Sequence, residues 1–531
     1  MKKYKLFYNG KIYTQAGDGQ VVDSIVIQGN NIIAVGKHLE KDEMFNSAVR
    51  INLRGRTVLP GFTDSHTHFR FHAIMTANVR LDGLTSLEAT LNKIKKHSDK
   101  LAKNEWVLGD GFAIDRWRKR ILPDKYMLDK VTGGRPAAIY SKDQHILWVN
   151  SEALKRAKIS RKTSAPIGGV IDRFEDREPY GILRELPGYE PILKIIADPP
   201  VLKIKRLYKK TLKEAYAKGV TAIHSMDGPK AYPLYKELSK NGTIGLRVNY
   251  YPPPSLIPKL RRVGVNSGYN REYLHISGIK LFADGSLGSQ TALCFNKYKA
   301  SKNSYGVETN SKKEMLKIIK NAASINLPCT IHAIGDKAVS NVIDCFEKAP
   351  KIKNPNLHRI EHLQMIRRID INRLKKLKIV ASMQPSHCPS DIKMMETYWG
   401  KRGRNCFVFR TLLDKKIPLV FGSDVPIEPI DPISGIAAAV NRTSPDVKKP
   451  FYPEQRISVK EAVAGFTSTP PSIVGRGFEI GRLLPGFKAD FIVLSENIYK
   501  TARTKIKDIK VLGTYFDGKL VYKSKSLKAK L

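Results

Sequence analysis

Five short stretches of this sequence carry side chains able to hold a cation or move a proton. Asp64-Ser-His66-Thr-His68 sets two imidazoles two residues apart, and on extended backbone that spacing projects both to one side. The others are Lys280 in Gly-Ile-Lys280-Leu-Phe-Ala-Asp284-Gly, His332 in Ile-His332-Ala-Ile-Gly-Asp336, Glu361-His362-Leu-Gln364, and Gly422-Ser-Asp424-Val-Pro426. Imidazoles and a carboxylate are the ligands that Zn²⁺ and similar divalent ions take. Each alone reads as readily as a hydrogen-bonded core or loop residue. Together they suggest one centre in which His66, His68, His332, His362 and Asp424 grip one or two cations.

The chemistry of such a centre is hydrolysis. A divalent ion lowers the pKa of bound water to about 7 and polarises a carbonyl. Asp424, ligating or touching that water, is placed to take its proton and return it to a leaving nitrogen. The outcome is cleavage of a C–N bond, and an ester or lactone could use the same centre.

The elements that must position these groups are legible as a rhythm. Short β-branched runs at 57–62, 219–223, 246–250, 278–282, 328–331, 358–360, 378–382 and 418–421 alternate with lysine-rich amphipathic stretches. Helical patterns cover 203–217, 311–325, 337–348 and 367–377. Strands alternating with helices predict parallel βαβ units. Eight such runs predict an α/β fold, a (β/α)8 barrel whose site groups lie where the strands end. Residues 84–200 read as a large insertion after the first strand, with Trp106, Trp117 and Trp148 as its core. Short strands at both ends of the chain predict a small β-sandwich domain built from the two termini. The resulting division is 1–56, 57–455 and 456–531, the last opening on a closing helix.

Composition narrows the class. With 531 residues, 42% hydrophobic and 27% charged, the chain is a globular protein of two or three units. No apolar run reaches the 18 or so residues of a membrane helix, and the first residues lack a secretory pattern. Cysteines 294, 329, 345, 388 and 406 form no CxxC pair, so buried thiols and a cytoplasmic location are expected. The formal charge of +43 would attract polyanions. Its basic residues are nevertheless spread along the chain, apart from clusters such as 523–530, and no nucleic-acid-binding motif organises them. The expected partner is a small-molecule substrate, with no membrane and no nucleic acid.

On the motifs above, with Pro60-Gly-Phe-Thr-Asp-Ser-His66-Thr-His68 and Gly481-Arg-Leu-Leu-Pro-Gly-Phe-Lys-Ala-Asp490, the sequence resembles the amidohydrolase superfamily. More closely it is similar to the amidohydrolase-3 branch, which includes N-substituted formamide deformylase and exoenzyme regulatory proteins. The resemblance spans nearly the whole chain and implies a metal set of His66, His68, Lys280, His332, His362 and Asp424. It also implies that Lys280 is N6-carboxylated, and that homo-oligomers form in such proteins. The physics agrees: an ammonium repels metal ions, whereas a carbamate offers two anionic oxygens to bridge them. The alternative is an unmodified Lys280 paired with Asp284 or Asp424 beside a single ion.

Substrate contacts are expected from His224 and His387, which follow predicted strands, and from His145 in Asp143-Gln-His145-Ile-Leu-Trp148. His72 reads as the start of a helix, and His38, His97, His275 and His358 as surface residues. The leading function is hydrolysis of an amide or N-formyl amine. Cyclic-amide or lactone hydrolysis is an alternative. Deamination is disfavoured because Gly335 stands where related deaminases carry an acid. A non-catalytic regulatory protein is the alternative from another class, and the intact ligand set argues against it.

Overall fold

The β-branched runs in the middle of the chain fold as parallel strands buried on both faces, which is why they read as continuous apolar segments rather than alternating ones. The computed structural model describes residues 3–17, 19–265, 272–299, 304–353, 356–444 and 449–525. Of the basic run 523–530, residues 526–530 lie outside the described residues. Strands β1 (Phe62–Thr67), β2 (Val220–Ser225), β3 (Arg247–Tyr250) and β4 (Leu274–Ile276) pair in that order, all parallel. A second parallel run holds β5 (Ile279–Phe282), β6 (Cys329–Ala333), β7 (Arg359–His362), β8 (Val380–Met383) and β9 (Leu419–Phe421).

Only Ser277 and Gly278 separate β4 from β5. At the other margin the backbone beyond β9 meets β1. Asp424 N donates to the His66 carbonyl at 2.7 Å and His68 N to the Val425 carbonyl at 2.9 Å, flanking a parallel bridge between Thr67 and Val425. Gly422 makes this approach feasible. A Cβ there would lie 2.4 Å from His66 N and 2.9 Å from Asp64 Oδ1, distances at which any larger residue would force the two segments apart.

Four helices follow the expected patterns: Val201–Ala217, Lys312–Ala323, Asp336–Glu347 and Arg368–Lys376. Lys312–Ala323 begins with a capping box in which Ser311 and Glu314 each bond the other's backbone, satisfying donors that a helix start leaves free.

One predicted run proves to be two elements. Residues 57–62 do not form the first strand of the parallel run. Thr57–Pro60 instead pairs parallel with Lys11–Tyr13 and antiparallel with Phe491–Leu494. The chain bends at Gly61, and Phe62 opens β1, so His66 lies within a strand rather than after one. Pro60 in turn is confined to the end of its strand, as its missing N–H requires. The resulting six-stranded sheet joins both ends of the chain, and a second sheet of four strands, Lys5–Tyr8, Ser24–Gln28, Asn31–Gly36 and Val49–Asn52, belongs to the first 52 residues.

The terminal strands are anchored by charge. Arg247, wholly buried on β3, gives its guanidinium to Asp490 (Nε–Oδ2, 2.5 Å) and to Asp517. Tyr273 donates to the other oxygen of Asp517 at 2.8 Å. Removing either acid leaves a buried cation undercompensated, a loss of about 3–5 kcal/mol for such pairs.

Between β1 and β2 a separate six-stranded sheet runs from Val79–Arg80 to Pro179–Arg184, with Val170–Arg173 at its edge. Trp117 and Trp148 fill its core and Trp106 packs, partly buried, on its other face, as expected. All five cysteines are free and buried. Among the described residues no helix is long and apolar enough to cross a membrane.

Candidate functional site

Site groups gather where the strands of the two parallel runs end. His66 and His68 each bring Nε2 to 3.4 Å from Asp424 Oδ1. His362 lies beside them, its ring centre 5.0 Å from that of His66 and 4.4 Å from that of His332. His66, His362 and Asp424 offer ligand atoms that all lie within 4.8 Å of one another. His362 (φ 69°) and Asp424 (φ 60°) both adopt left-handed backbone, which costs non-glycine residues about 1–3 kcal/mol and clusters at functional sites.

The protonation states suit a cation. Burial holds His66 below the ordinary imidazole range, and it holds His332 and His362 well below it, helped by the neighbouring Lys280 charge. Their rings are therefore neutral at pH 7, with lone pairs to give. Burial pushes the Asp424 carboxyl upward, but His66, His68 and His387 pull it well below the usual carboxylate range, so it is an anion.

Orientation comes from a layer underneath. Glu361 Oε2 lies 2.5 Å from His66 Nδ1 and accepts from Ser382 Oγ at 2.7 Å. Thr330 Oγ1 donates to its other oxygen, which also faces Arg359 Nε at 2.9 Å. With Nδ1–H committed to Glu361, the Nε2 lone pair of His66 is free to face Asp424. Arg359 spends its remaining donors on His224 Nδ1 (2.7 Å), Tyr251 Oη (2.8 Å), Ser65 O (2.8 Å) and Ser382 Oγ (2.7 Å). Asp64 ties β1 to the segment after β9, accepting from Ser423 N at 2.9 Å.

Lys280 is buried with its Nζ 4.3 Å from the centre of the Phe282 ring and without a hydrogen-bond partner among the described residues. Burial lowers it to about 8. The pairing with Asp284 or Asp424 that an unmodified lysine would make is not formed among the described residues. Asp284 instead accepts from the backbone of Leu293, Ile334 and Gly335 at 2.8, 3.0 and 2.8 Å. His362 Nδ1 and His387 Nε2 are likewise buried and unpartnered. The neutral imidazoles of His66 and His362 and the ionised Asp424 form a donor set of the kind that a divalent cation takes.

The three expected substrate contacts divide. His145 and His387 line a cavity of about 330 Å³ whose floor includes His332, His362 and Asp424. His145 belongs to the inserted sheet and places its ring 5.3 Å from His332. Burial would lower it, but Glu185, 2.7 Å from its Nδ1, and Asp143 raise it to about 9. His387 Nε2 is 4.0 Å from Asp424 Oδ2. His224 is not on that wall. It is completely buried with Nδ1 turned to Arg359, in the layer that lies underneath the site.

Of the remaining histidines, His72 lies in the helix Phe69–Met75 with Nε2 3.2 Å from Glu214. His275 is buried in β4 and His358 accepts from Cys329 N at 3.1 Å, so neither is the surface residue its position suggested. A strand covered on both faces leaves even its polar residues inside.

Sequence reasoning passed over Arg359, Glu361 and Glu185. A signal existed for the first two: charges two apart in a run otherwise built for burial share one face and must pair.

A family model described as the amidohydrolase family matches residues 50–522. YtcJ of Bacillus subtilis (strain 168) is 30% identical over 530 residues, 97% of this chain and 99% of that protein. The N-substituted formamide deformylase of Arthrobacter pascens is 24% identical, covering 97% of this chain and 98% of its own. The crystal structure of an uncharacterized metal-dependent hydrolase from Pyrococcus furiosus superposes with a TM-score of 0.75 at 29% identity, covering 94% of this chain and 100% of that one.

Proposed function

The chain belongs to the amidohydrolase family, and from that premise we propose that it hydrolyses a non-peptide C–N bond, in an amide or an N-formyl or N-acyl amine. The observation that carries this reading is the shared 3.4 Å approach of the His66 and His68 Nε2 atoms to one Asp424 oxygen. The similarity to a formamide deformylase supports the choice of bond.

His66, His68, His332, His362 and Asp424 would hold the divalent metal, most simply zinc, with Lys280 joining as its carbamate when two ions are bound. A bound divalent ion supplies Lewis acidity toward the carbonyl and acidifies water. Asp424, kept anionic by the imidazoles around it, takes the proton of the attacking water and hands it to the leaving nitrogen. His145 and His387 reach the substrate from the cavity wall, and His387 Nε2 is free to meet its carbonyl oxygen. The layer of Glu361 and Arg359 holds His66 so that no reorientation is needed during turnover. His224 acts only through Arg359.

In this reading the nine strands form one (β/α)8 barrel, with β4 and β5 as a single broken strand. The terminal sheets are a β-sandwich of the 1–56 and 456–531 segments, extended to Pro60 because Thr57–Pro60 is one of its strands, and 84–200 is the insertion that roofs the site. The free thiols suit a reducing, cytoplasmic setting. The experiment is elemental analysis of the purified protein joined to a hydrolysis screen over N-formyl amines, N-acyl amino acids, cyclic ureas and lactones. Stoichiometric metal with chelator-sensitive release of an amine is the expected result. Metal-free protein indifferent to chelation, or turnover of lactones alone, ends the reading.

A further inference from the structure

The helix His387–Tyr398 has three faces with three duties. Cys388, Ile392 and Met395 are buried against the core, while Lys393, Glu396 and Thr397 are exposed. The third face, half-buried, lines the cavity: His387, Ser390, Asp391, Met394 and Tyr398. These positions follow the i, i+3, i+4, i+7, i+11 progression of one helical stripe. At about 1.5 Å of rise per residue, the stripe runs roughly 16 Å along the cavity from His387, beside Asp424, to Tyr398. Its chemistry changes on the way, polar through Asp391 and then a thioether and a phenol ring.

Asp391 is the anomaly on that wall. Three charged neighbours in the cavity are paired: Lys142 with Glu428 at 2.8 Å, Arg184 with Asp172 at 2.7 Å, and His145 with Glu185. Asp143 accepts from Ser141, Ser286 and Ser289 at 2.5, 2.5 and 2.6 Å. Asp391 receives one hydrogen bond, from Gln364 Nε2 at 2.9 Å, and forms no ion pair among the described residues. A carboxylate has about four acceptor positions, and taking it out of water without a cation is unfavourable. Accordingly burial pushes it up to about 6 despite the positive pull of His387 and Lys142. A ligand bringing a cation would remove that penalty.

We propose, resting on the hydrolase reading above, that the substrate is a small amide bearing a primary or secondary ammonium group, which Asp391 recognises one helical turn outward from His387. One turn, four residues, is about 6 Å along the axis, so the ammonium stands a few carbons from the scissile carbonyl. Any apolar extension then runs along Met394 and Tyr398. Charge-assisted hydrogen bonds of this kind are the strong ones, so Asp391 fixes preference as well as position.

The test uses three compounds alike except at one end: N-formyl-1,4-diaminobutane, N-formylpentylamine and 5-formamidopentanoate. Their binding to metal-depleted full-length protein is measured by calorimetry, and their hydrolysis by the metal-loaded protein separately. The ammonium compound is expected to bind about tenfold or more tightly than the pentylamine. Asp391→Asn should lower its affinity about tenfold and leave the pentylamine alone, and Glu396→Gln on the solvent face should change neither. Equal binding of the two, strongest binding by the carboxylate, or no binding at all overturns the proposal. Should Asp391→Asn fail to fold, the order of the three compounds on unaltered protein decides. A binding preference without turnover of any compound sinks the hydrolase reading and spares the recognition. Turnover without preference does the reverse.

Discussion

Glu361 Oε2 rests 2.5 Å from His66 Nδ1, with both side chains fully buried, so the orientation of one imidazole is set by a carboxylate that lies outside the metal-binding set proposed for the centre. The upward push of burial on Glu361 is overcome by Arg359 and His66, which hold it well below the usual carboxylate range. Replacing it with Gln leaves the Arg359 guanidinium buried without its anion. Glu361→Gln is expected to weaken metal affinity about 10–100-fold and to lower stability by about 3–5 kcal/mol. Competition with a metal indicator and urea unfolding measure the two losses separately.

Asp424→Asn keeps the size of the side chain and the backbone bond from Asp424 N to the His66 carbonyl. Circular dichroism should therefore be unchanged while kcat falls about 10²–10⁴-fold, the range for losing a positioned acid–base group. Activity equal to that of the parent would remove Asp424 from the proton transfer.

Lys280→Ala takes away the amine on which a carbamate forms. The variant should bind substantially less metal, and short carboxylic acids in excess should restore part of the lost turnover. Carbon-13 NMR of parent protein exchanged with labelled bicarbonate should show a carbamate resonance absent from the variant. No such resonance, together with full activity in the variant, defeats the bridging role.

Chelation should abolish turnover reversibly and lower the melting temperature. A ligand present at about a hundred times its Kd stabilises the folded state by about 2.7 kcal/mol. Differential scanning calorimetry before and after reconstitution with zinc tests this directly.

The pH dependence of stability has one contributor remote from the centre. Glu461 caps its helix through Ser458 N at 2.8 Å and pairs with Arg410 Nη2 at 2.6 Å. Burial raises it, but the bonds from Arg410 and Ser458 together outweigh burial, so its carboxyl is held below the ordinary value. A depressed carboxyl stabilises the fold above its unfolded pKa, about 4.3, and that share disappears as pH falls through the folded value. Glu461→Gln should cost about 1 kcal/mol at pH 7, and urea melts should show parent and variant converging below about pH 4. A difference that is constant with pH would mean that the carboxylate charge plays no part.

The gathering of His66, His68, His332, His362 and Asp424 was legible because β-branched runs mark the parallel strands that bring them together. What was illegible depends on partners far away in the chain. His224 and His387 look alike in sequence, each following a predicted strand, yet His224 lies within β2 and is turned to Arg359 while His387 opens on the cavity. Nothing local distinguishes them, since Arg359 lies 135 positions from His224. The strand Thr57–Pro60 was misassigned for a similar reason. Its apolar run fits either sheet, and only the later strand Phe491–Leu494 decides which it joins.

That arrangement constrains how the protein is made. Thr57–Pro60 is an inner strand whose neighbour on one side is Phe491–Leu494, and Arg247 pairs with Asp490 and Asp517. A ribosome emits these partners long after Thr57–Pro60, and Asp490 and Asp517 follow Arg247 by 243 and 270 positions. Until they appear, an early strand exposes an open edge and a cation waits without a counter-charge, so the sheet is sealed only once both distant segments have been made.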